Sequence, residues 1–219
     1  AIRIDQGILH TVIIRKAFRY RIYPSDEQVA RIVQWQGALR FLWNLALEQR
    51  LIGLARSDKR YPTAFDQINE LTELRSALPW LADVPRNVCA QLLVELDLAW
   101  QRCFKRVARR PRCKRKGKKP LNLTEPHPKA WRLDGMALRF PKLGWLPIVL
   151  HRPIDGKPTR CTVSRDGDQW FASILCEIDT PDPKFRTEPK VALDRGINHL
   201  FATSEGRLAP NPRWMRKSK

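Results

Sequence analysis

The feature that most constrains the fold is a series of short runs, after Pro120, in which apolar and polar residues alternate. Turn-forming dipeptides separate these runs, as expected for strands joined by tight connections. The predicted strands cover residues 121–123, 136–140, 145–150, 160–165 and 170–178, and the turn signals are Asp134-Gly135, Leu143-Gly144, Asp155-Gly156 and Asp166-Gly167. Short strands at regular spacing predict a small antiparallel barrel. The strongest hairpin prediction falls on Asp166-Gly167-Asp168, because alternating runs flank this turn on both sides.

A further strand is predicted at residues 12–23, near the start of the chain. Its bulky residues Phe18, Tyr20 and Ile22 alternate with Arg19, Arg21 and Tyr23. This period of two gives the strand one packed face and one charged face. The charged face could lie along phosphates, or it could protect an exposed sheet edge from pairing. We expect this strand to complete the barrel, with the next helices inserted after it.

Amphipathic helices are predicted between this strand and the others. Ser25 begins a capping-box signal for the first helix, which we expect to break at Gly37 and to end near Gly53. Further helices are predicted over residues 63–77 and after Pro85. Three such helices predict a small bundle. Its charge is nearly neutral, which favours a scaffold, and a helix-turn-helix DNA reader stays open as an alternative.

Positive charge is concentrated in the second half of the chain. The 219 residues carry 41 Lys and Arg against 22 Asp and Glu, a net charge of +19. Residues 1–100 hold 13 basic and 11 acidic side chains, which leaves 28 and 11 for residues 101–219. This asymmetry predicts binding to a polyanion, and nucleic acid is favoured over an anionic membrane because no basic amphipathic anchor is evident.

The densest positive charge lies in residues 102–119, where eleven of eighteen residues are basic and none is acidic. Self-repulsion predicts a mobile arm that becomes ordered on a phosphate backbone. The alternative is a segment that only solubilises or targets the protein.

The cysteine pattern and hydropathy exclude other classes of protein. The five cysteines include no C-x-x-C pair, so neither a zinc site nor a disulfide framework is predicted. No apolar run approaches the roughly 20 residues that span a bilayer. We therefore expect a cytoplasmic, nucleoid-associated protein.

The stretch VALDRGINHLFATSEG at residues 191–206 follows a proline-rich connector at 181–190. An apolar run ends at Asp194, a turn-prone segment follows, and a second apolar run leads to another turn at residues 204–206. This pattern predicts a hairpin with a carboxylate at its centre. Taken alone, it is more often a solvated turn than a site.

The order of these pieces resembles the TnpB (OrfB) proteins of insertion sequences, which are relatives of the compact type V CRISPR effectors. The matching segments run from FRYRIYPSDEQ and FLWNLALEQR through FPKLGWLPIVLHRPIDG and CTVSRDGDQWFASILCEI to VALDRGINHLFATSEG and NPRWMRK. The resemblance implies an RNA-guided DNA endonuclease of the α+β class. Its expected parts are an oligonucleotide-binding-like (wedge) barrel, an inserted helical recognition bundle and the start of an RNase H-like (RuvC) nuclease domain.

On this basis, the predicted domain boundaries are the first wedge strand at 12–24, the helical insert at 25–108, the wedge barrel with its basic arm at 109–180, the linker at 181–190 and the RuvC-like portion at 191–219. The resemblance matches Asp194 to the first catalytic carboxylate and Gly196 to the glycine after it. Two-metal hydrolysis by Mg²⁺ requires several carboxylates, and only Glu205 follows Asp194.

The family's later acidic residues and zinc ribbon would lie beyond Lys219. We therefore expect binding without cutting. The chain could be a fragment, which we favour, a natural guide-dependent binder or a decayed remnant.

The predicted partners are a guide RNA and a target DNA with a short flanking motif. Candidate phosphate contacts are Arg19, Arg21, Lys114, Arg115, Lys116, Lys118, Lys119, Arg152 and Arg160. Tyr20, Tyr23 and Trp145 could stack on bases, although aromatic residues in alternating strands more often pack into the core. Two alternatives stay open: a guide-free DNA-binding regulator, and a structural RNA-binding protein.

Overall fold

The structure is a computed structural model that describes residues 11–58, 60–118, 120–181 and 191–213. These residues form two compact units, one within residues 10–180 and one within 181–219. Across the described ranges, no helix combines the length and the apolar character needed to cross a bilayer. The predicted positions 119, 182–190 and 214–219 lie outside the described residues.

The larger unit begins with a strand, continues through four helices and ends in six further strands. Its elements are β1 (Thr11–Ile22), α1 (Asp26–Ala55), α2 (Ala64–Ala77), α3 (Pro79–Ala82), α4 (Arg86–Phe104), β2 (Leu123–Glu125), β3 (Arg132–Asp134), β4 (Ala137–Phe140), β5 (Gly144–Val149), β6 (Lys157–Asp166) and β7 (Gln169–Pro181). The buried faces of its helices and strands belong to a single hydrophobic core.

The strands of this unit form one curled antiparallel sheet in the order β2-β6-β7-β1-β5-β4-β3. The first strand therefore lies at the centre of the sheet, where Arg21 is opposite Val149 of β5. The predicted small antiparallel barrel is confirmed in part: the described strands curl into a half-barrel, in which β2 and β3 are the edge strands. Each has only three residues. In addition, α4 covers β2, where Asn87 donates a hydrogen bond to Glu125.

The Asp-Gly signals located two hairpins correctly. Asp166 of β6 pairs with Gln169 of β7, and Gly167 in the turn has a φ of +58°. At Asp134-Gly135 the turn also forms, but the strand that precedes it, β3, was not predicted. Three residues are too short for an alternation signal.

The first helix does not break at Gly37. Ser25 caps α1 through the predicted capping box with Gln28, and the helix then continues without interruption to Ala55. A helical glycine costs only about 1 kcal/mol relative to alanine. Trp35 and Leu39, two residues before and after Gly37, are fully buried, and their packing outweighs this cost.

A buried arginine connects three of the helices. Arg50 of α1 has no exposed surface, and its Nε and Nη2 atoms donate to Gln67 Oε1 of α2 at 3.0 and 2.9 Å. Its Nη1 atom donates to Asp97 Oδ1 of α4 at 2.8 Å. Because a buried guanidinium is tolerated only when its donors are satisfied, this contact fixes the relative positions of α1, α2 and α4.

The smaller unit contains a three-stranded antiparallel sheet in the order β10-β9-β8. Its strands are β8 (Leu193–Asp194), β9 (His199–Thr203) and β10 (Leu208–Pro210). Leu193 pairs with Thr203, as the predicted hairpin requires, and Gly206 turns the chain into β10 with a φ of +82°. The third strand, β10, was not predicted.

Candidate nucleic-acid interface

Basic and aromatic side chains share the outward face of the central strands. Arg19, Arg21 and Tyr23 point away from the core because Phe18, Tyr20 and Ile22 alternate with them and are buried. Phe171 of β7 lies beside this row. The guanidinium carbon of Arg19 is 3.7 Å from the centroid of the Phe171 ring, and that of Arg21 is 5.8 Å from the same centroid. The ring holds both cations in place by cation–π attraction.

The two arginines differ in their remaining partners. Arg19 Nη2 forms an ion pair with Asp166 Oδ2 at 2.9 Å, in which both side chains are about half exposed or more. Such a pair is weak in water and can yield to a phosphate. Arg21 is half-buried, and its Nε atom is buried without a hydrogen-bond partner within the described structure. An unsatisfied buried donor is costly to the stability of the fold.

Two of the three candidate stacking residues are exposed. Tyr23 and Trp145 keep 52% and 47% of their surface accessible, so the preference for the core was wrong for both. The reason is strand register: Leu146 and Ile148 fill the core face of β5 and turn Trp145 outward. Tyr23 extends the pairing of β1 with β5, because its N–H donates to the Pro147 carbonyl at 2.9 Å.

Tyr20 is not available for stacking. Its side chain is fully buried, and its hydroxyl donates to the Arg152 carbonyl at 3.1 Å. Burial raises the pKa of this phenol above its ordinary value. Tyr20 therefore belongs to the core, as the alternation of β1 favours.

Part of the basic segment 102–119, which was predicted to be a mobile arm, is held in place by contacts with α1. Trp43 Nε1 donates to the Arg112 carbonyl at 3.1 Å, and Lys114 Nζ lies 4.5 Å from the Trp43 ring centroid. Asn44 forms two hydrogen bonds with the backbone of Lys114, at 2.8 and 3.1 Å. Because α1 supplies these partners, residues 112–114 have a defined path despite their charge.

The remaining basic candidates lie in separate places. Arg115, Lys116 and Lys118 are exposed, while Lys119 is outside the described residues. The Arg152 guanidinium lies 5.0 Å from the ring of Phe18. Phe18 and Arg19 are on opposite faces of β1. Arg160 is also exposed and lines a small cavity together with Arg15 and Glu177. The candidate phosphate contacts therefore form several separate cationic patches among the described residues of the larger unit.

The candidate catalytic residue, Asp194, lies on β8 opposite Ala202 and is exposed. Glu205 lies in the turn between β9 and β10. Its Oε2 atom is 3.9 Å from Arg207 Nε. Among the described residues, no three His, Cys, Asp or Glu side chains are close enough together to hold a metal ion. Asp194 and Glu205 alone are not the carboxylate set of a two-metal centre.

Sequence reasoning missed three residues of this interface: Trp43, Asn44 and Phe171. The alternation of β7 carried a signal for Phe171, because the neighbouring Trp170 and Ala172 are buried and a residue between them must face outward. The positions of Trp43 and Asn44 carried no such signal. Their role depends on where the chain returns about 70 residues later.

A family profile described as a helix-turn-helix domain, of the OrfB/IS605 group, matches residues 14–57. In the structure these residues form most of β1 and the uninterrupted helix α1. The matched segment is therefore a strand followed by one helix, and it does not have helix-turn-helix geometry.

Two curated proteins are similar to nearly the whole chain. A protein of Streptomyces pristinaespiralis named "Putative RNA-guided DNA endonuclease" is 32% identical over 212 residues, which cover 94% of this chain and 52% of the relative. A protein of Escherichia coli strain K12 named "Putative RNA-guided DNA endonuclease InsQ" is 29% identical over 195 residues, which cover 87% of this chain and 48% of the relative. The chain thus spans about half the length of these relatives.

Proposed function

We propose that this chain carries the nucleic-acid-binding apparatus of an RNA-guided DNA endonuclease. Its resemblance to the TnpB (OrfB) family is confirmed by the family profile and the two relatives. The names of the two relatives support guided DNA recognition as the activity to test. A net charge of +19 supports a polyanionic partner.

The observation that carries this proposal is the outward face of the central strands. There, Arg19, Arg21 and Phe171 form a cationic and aromatic surface next to the exposed ring of Tyr23. Guanidinium groups bind phosphates, and exposed rings stack on bases without regard to sequence. A surface of this kind suits recognition of a backbone and of unstacked bases.

Sequence recognition is then assigned to base pairing rather than to side chains. In guided recognition the RNA pairs with the target strand, while the protein holds the backbones and reads only a short flanking motif of the duplex. The candidate phosphate contacts Arg19, Arg21, Arg115 and Lys118 would hold backbones in this scheme.

We further propose that Asp194 would be the first carboxylate of a RuvC-like site in a complete nuclease domain. Each Mg²⁺ of such a site is held by carboxylate oxygens, and two ions require several carboxylates. The described residues do not fit that site, because Asp194 has no carboxylate cluster around it. We therefore expect this chain to bind nucleic acid without cutting it.

The family profile's description favours a second candidate function, a guide-free regulator that reads a fixed duplex site. A helix-turn-helix reader requires a recognition helix placed across a turn from its partner helix. Residues 14–57 offer β1 and a single continuous α1 instead. The geometry of this segment therefore supports the guided function over the regulator.

The experiment that distinguishes the two functions is removal of RNA from the purified protein. After ribonuclease digestion and repurification, binding to duplex DNA is measured by fluorescence anisotropy with and without the RNA that co-purified. We expect site-selective DNA binding only when the RNA is returned. If the RNA-free protein still selects one duplex site, the guided function is wrong and the regulator is supported.

A further inference from the structure

A groove of about 630 Å³ separates the last turns of α1 from the basic segment 111–118. Leu47 and Leu51 of α1, together with Pro111, supply its apolar surface, and Arg112, Cys113, Lys114, Arg115 and Lys118 supply its polar side. None of these lining residues is acidic. Its volume falls within the roughly 300–1,000 Å³ that small-molecule sites occupy.

The groove is preformed because α1 fixes one of its walls. The two hydrogen bonds between Asn44 and the Lys114 backbone act like one rung of a β-ladder, and Trp43 adds a third bond at Arg112. The Trp43 ring also holds the Lys114 ammonium from one side at 4.5 Å. A wall fixed in this way does not have to become ordered when a ligand binds, which lowers the entropic cost of binding.

A tight turn brings two further cations to the groove. The N–H of Lys118 points to the Arg115 carbonyl at 3.4 Å, and Gly117 at the third position of this turn has a φ of +79°. This is the conformation that a type II turn requires of its third residue, and glycine adopts it without strain. Within the described residues, neither Arg115 nor Lys118 forms an ion pair, so both charges are available to an anion.

The combination of surfaces identifies the kind of ligand. A free phosphate would use the cations and leave the apolar surface empty, and a duplex would keep its bases stacked outside the groove. An unpaired nucleotide uses both surfaces, since its base is largely apolar on its faces and its phosphate is anionic.

We propose that this groove binds an unpaired nucleotide of a single strand, with the base against Leu51 and the phosphate on Arg115 and Lys118. This inference rests on the proposed function and adds a binding site to it. The strand could be guide RNA or unwound DNA, which share this chemistry.

Cys113 provides a direct test because its exposed thiol lines the groove. Cys89, Cys161 and Cys176 are buried. Burial raises the pKa of Cys89 to about 11 and that of Cys161 to about 12, which keeps both thiols protonated and unreactive near pH 8. In a Cys103→Ser background, maleimide labelling at this pH therefore reports on Cys113.

The labelling rate is measured with saturating single-stranded RNA, with single-stranded DNA of the same sequence, and with the matching duplex. We expect at least one single strand to slow the labelling several-fold and the duplex to have little effect. If a single strand binds but Cys113 reacts at its free rate, the groove is not the site. If neither single strand binds at all, the proposed function fails and this inference fails with it.

Matched substitutions separate a built site from general electrostatic attraction. Arg115→Ala and Lys118→Ala remove charges that line the groove, whereas Lys116→Ala removes an equal charge between them that does not line it. We expect the first two to weaken single-strand binding about tenfold each, as for the loss of a charged hydrogen bond, and the third to have a smaller effect. Equal effects of all three would contradict the groove.

The apolar surface has its own control. Leu51→Ser changes a half-buried residue of the groove, and Ile52→Ser changes the next residue of α1, which is 61% exposed and lies outside it. We expect only Leu51→Ser to weaken binding, with the circular dichroism of both variants unchanged. If Leu51→Ser binds like the unaltered protein, the base does not contact this surface.

Discussion

The Arg19 guanidinium lies 3.7 Å from the centroid of the Phe171 ring while it is paired with Asp166 at 2.9 Å. The ring positions the cation, and the carboxylate neutralises part of its charge. A phosphate that binds Arg19 must therefore compete with Asp166. We therefore predict that Asp166, an acidic residue of the β6–β7 hairpin, weakens nucleic-acid binding.

Asp166→Asn is predicted to tighten binding to a single-stranded oligonucleotide, because it releases Arg19, whereas Arg19→Ala is predicted to weaken it. For Arg19→Ala the slope of log K against log salt should decrease by about one, the value for one lost phosphate contact. Both quantities can be measured by fluorescence anisotropy across a salt series.

Asp168→Asn is the control for this pair of variants. It removes the same charge from the same hairpin, but Asp168 is bound to Arg165 at 3.0 Å. If Asp168→Asn tightens binding as much as Asp166→Asn, only the net charge of the hairpin matters, and Arg19 has no specific role.

The two glycines of α1 are predicted to respond to alanine in opposite directions. A Cβ at Gly37 would meet only the end of the Arg40 side chain at 3.6 Å, so Gly37→Ala should stabilise the protein by up to about 1 kcal/mol through helix propensity. A Cβ at Gly53 would lie 2.6 Å from the Arg60 carbonyl oxygen, so Gly53→Ala should destabilise it. Urea unfolding measures both, and a loss of stability in Gly37→Ala would contradict the continuous helix.

The buried contact of Arg50 is predicted to be a major source of stability in the helical part. Arg50→Ala leaves Gln67 and Asp97 without their partner, and we expect it to cost about 3–5 kcal/mol in the free energy of unfolding. Arg132→Ala is the control, because Arg132 is paired with Asp134 at 4.0 Å and both side chains are mostly exposed. That exposed pair should contribute no more than about 1 kcal/mol. Similar losses in the two variants would show that burial at Arg50 is unimportant.

Asp194→Ala is predicted to leave nucleic-acid affinity unchanged, because Asp194 belongs to a separate unit from the cationic face of β1. The chain itself is predicted not to cut DNA in the presence of Mg²⁺, since the described residues around Asp194 do not supply the carboxylates for two ions. Incubation of both proteins with guide and labelled target tests this. Mg²⁺-dependent cleavage that is lost in Asp194→Ala would contradict the account.

Local patterns predicted much of the fold. The capping box at Ser25, the helix over residues 63–77 and the turn at Asp166-Gly167 were all predicted, because each depends on residues that are close together in the sequence. The break expected at Gly37 was wrong, because a local propensity was outweighed by the packing of α1. The predicted barrel was confirmed only as a half-barrel, since full closure depends on the pairing of distant edge strands.

The site was less predictable than the fold, for the same physical reason. The alternation of β1 correctly placed Arg19 and Arg21 outside the core. The ring of Phe171 beside them and the contact of Asn44 with Lys114 both join residues that are far apart in the sequence. No local pattern encodes such contacts, and they require the folded chain.

In the proposed function, a bound RNA determines which DNA the protein binds. The most direct measurement replaces the pairing segment of the co-purified RNA with a new sequence and determines which DNA duplex the reconstituted protein then retains. We expect binding to move to the duplex that matches the new segment, with the same flanking motif. Continued binding to the original duplex, whatever RNA is supplied, would contradict the proposed function.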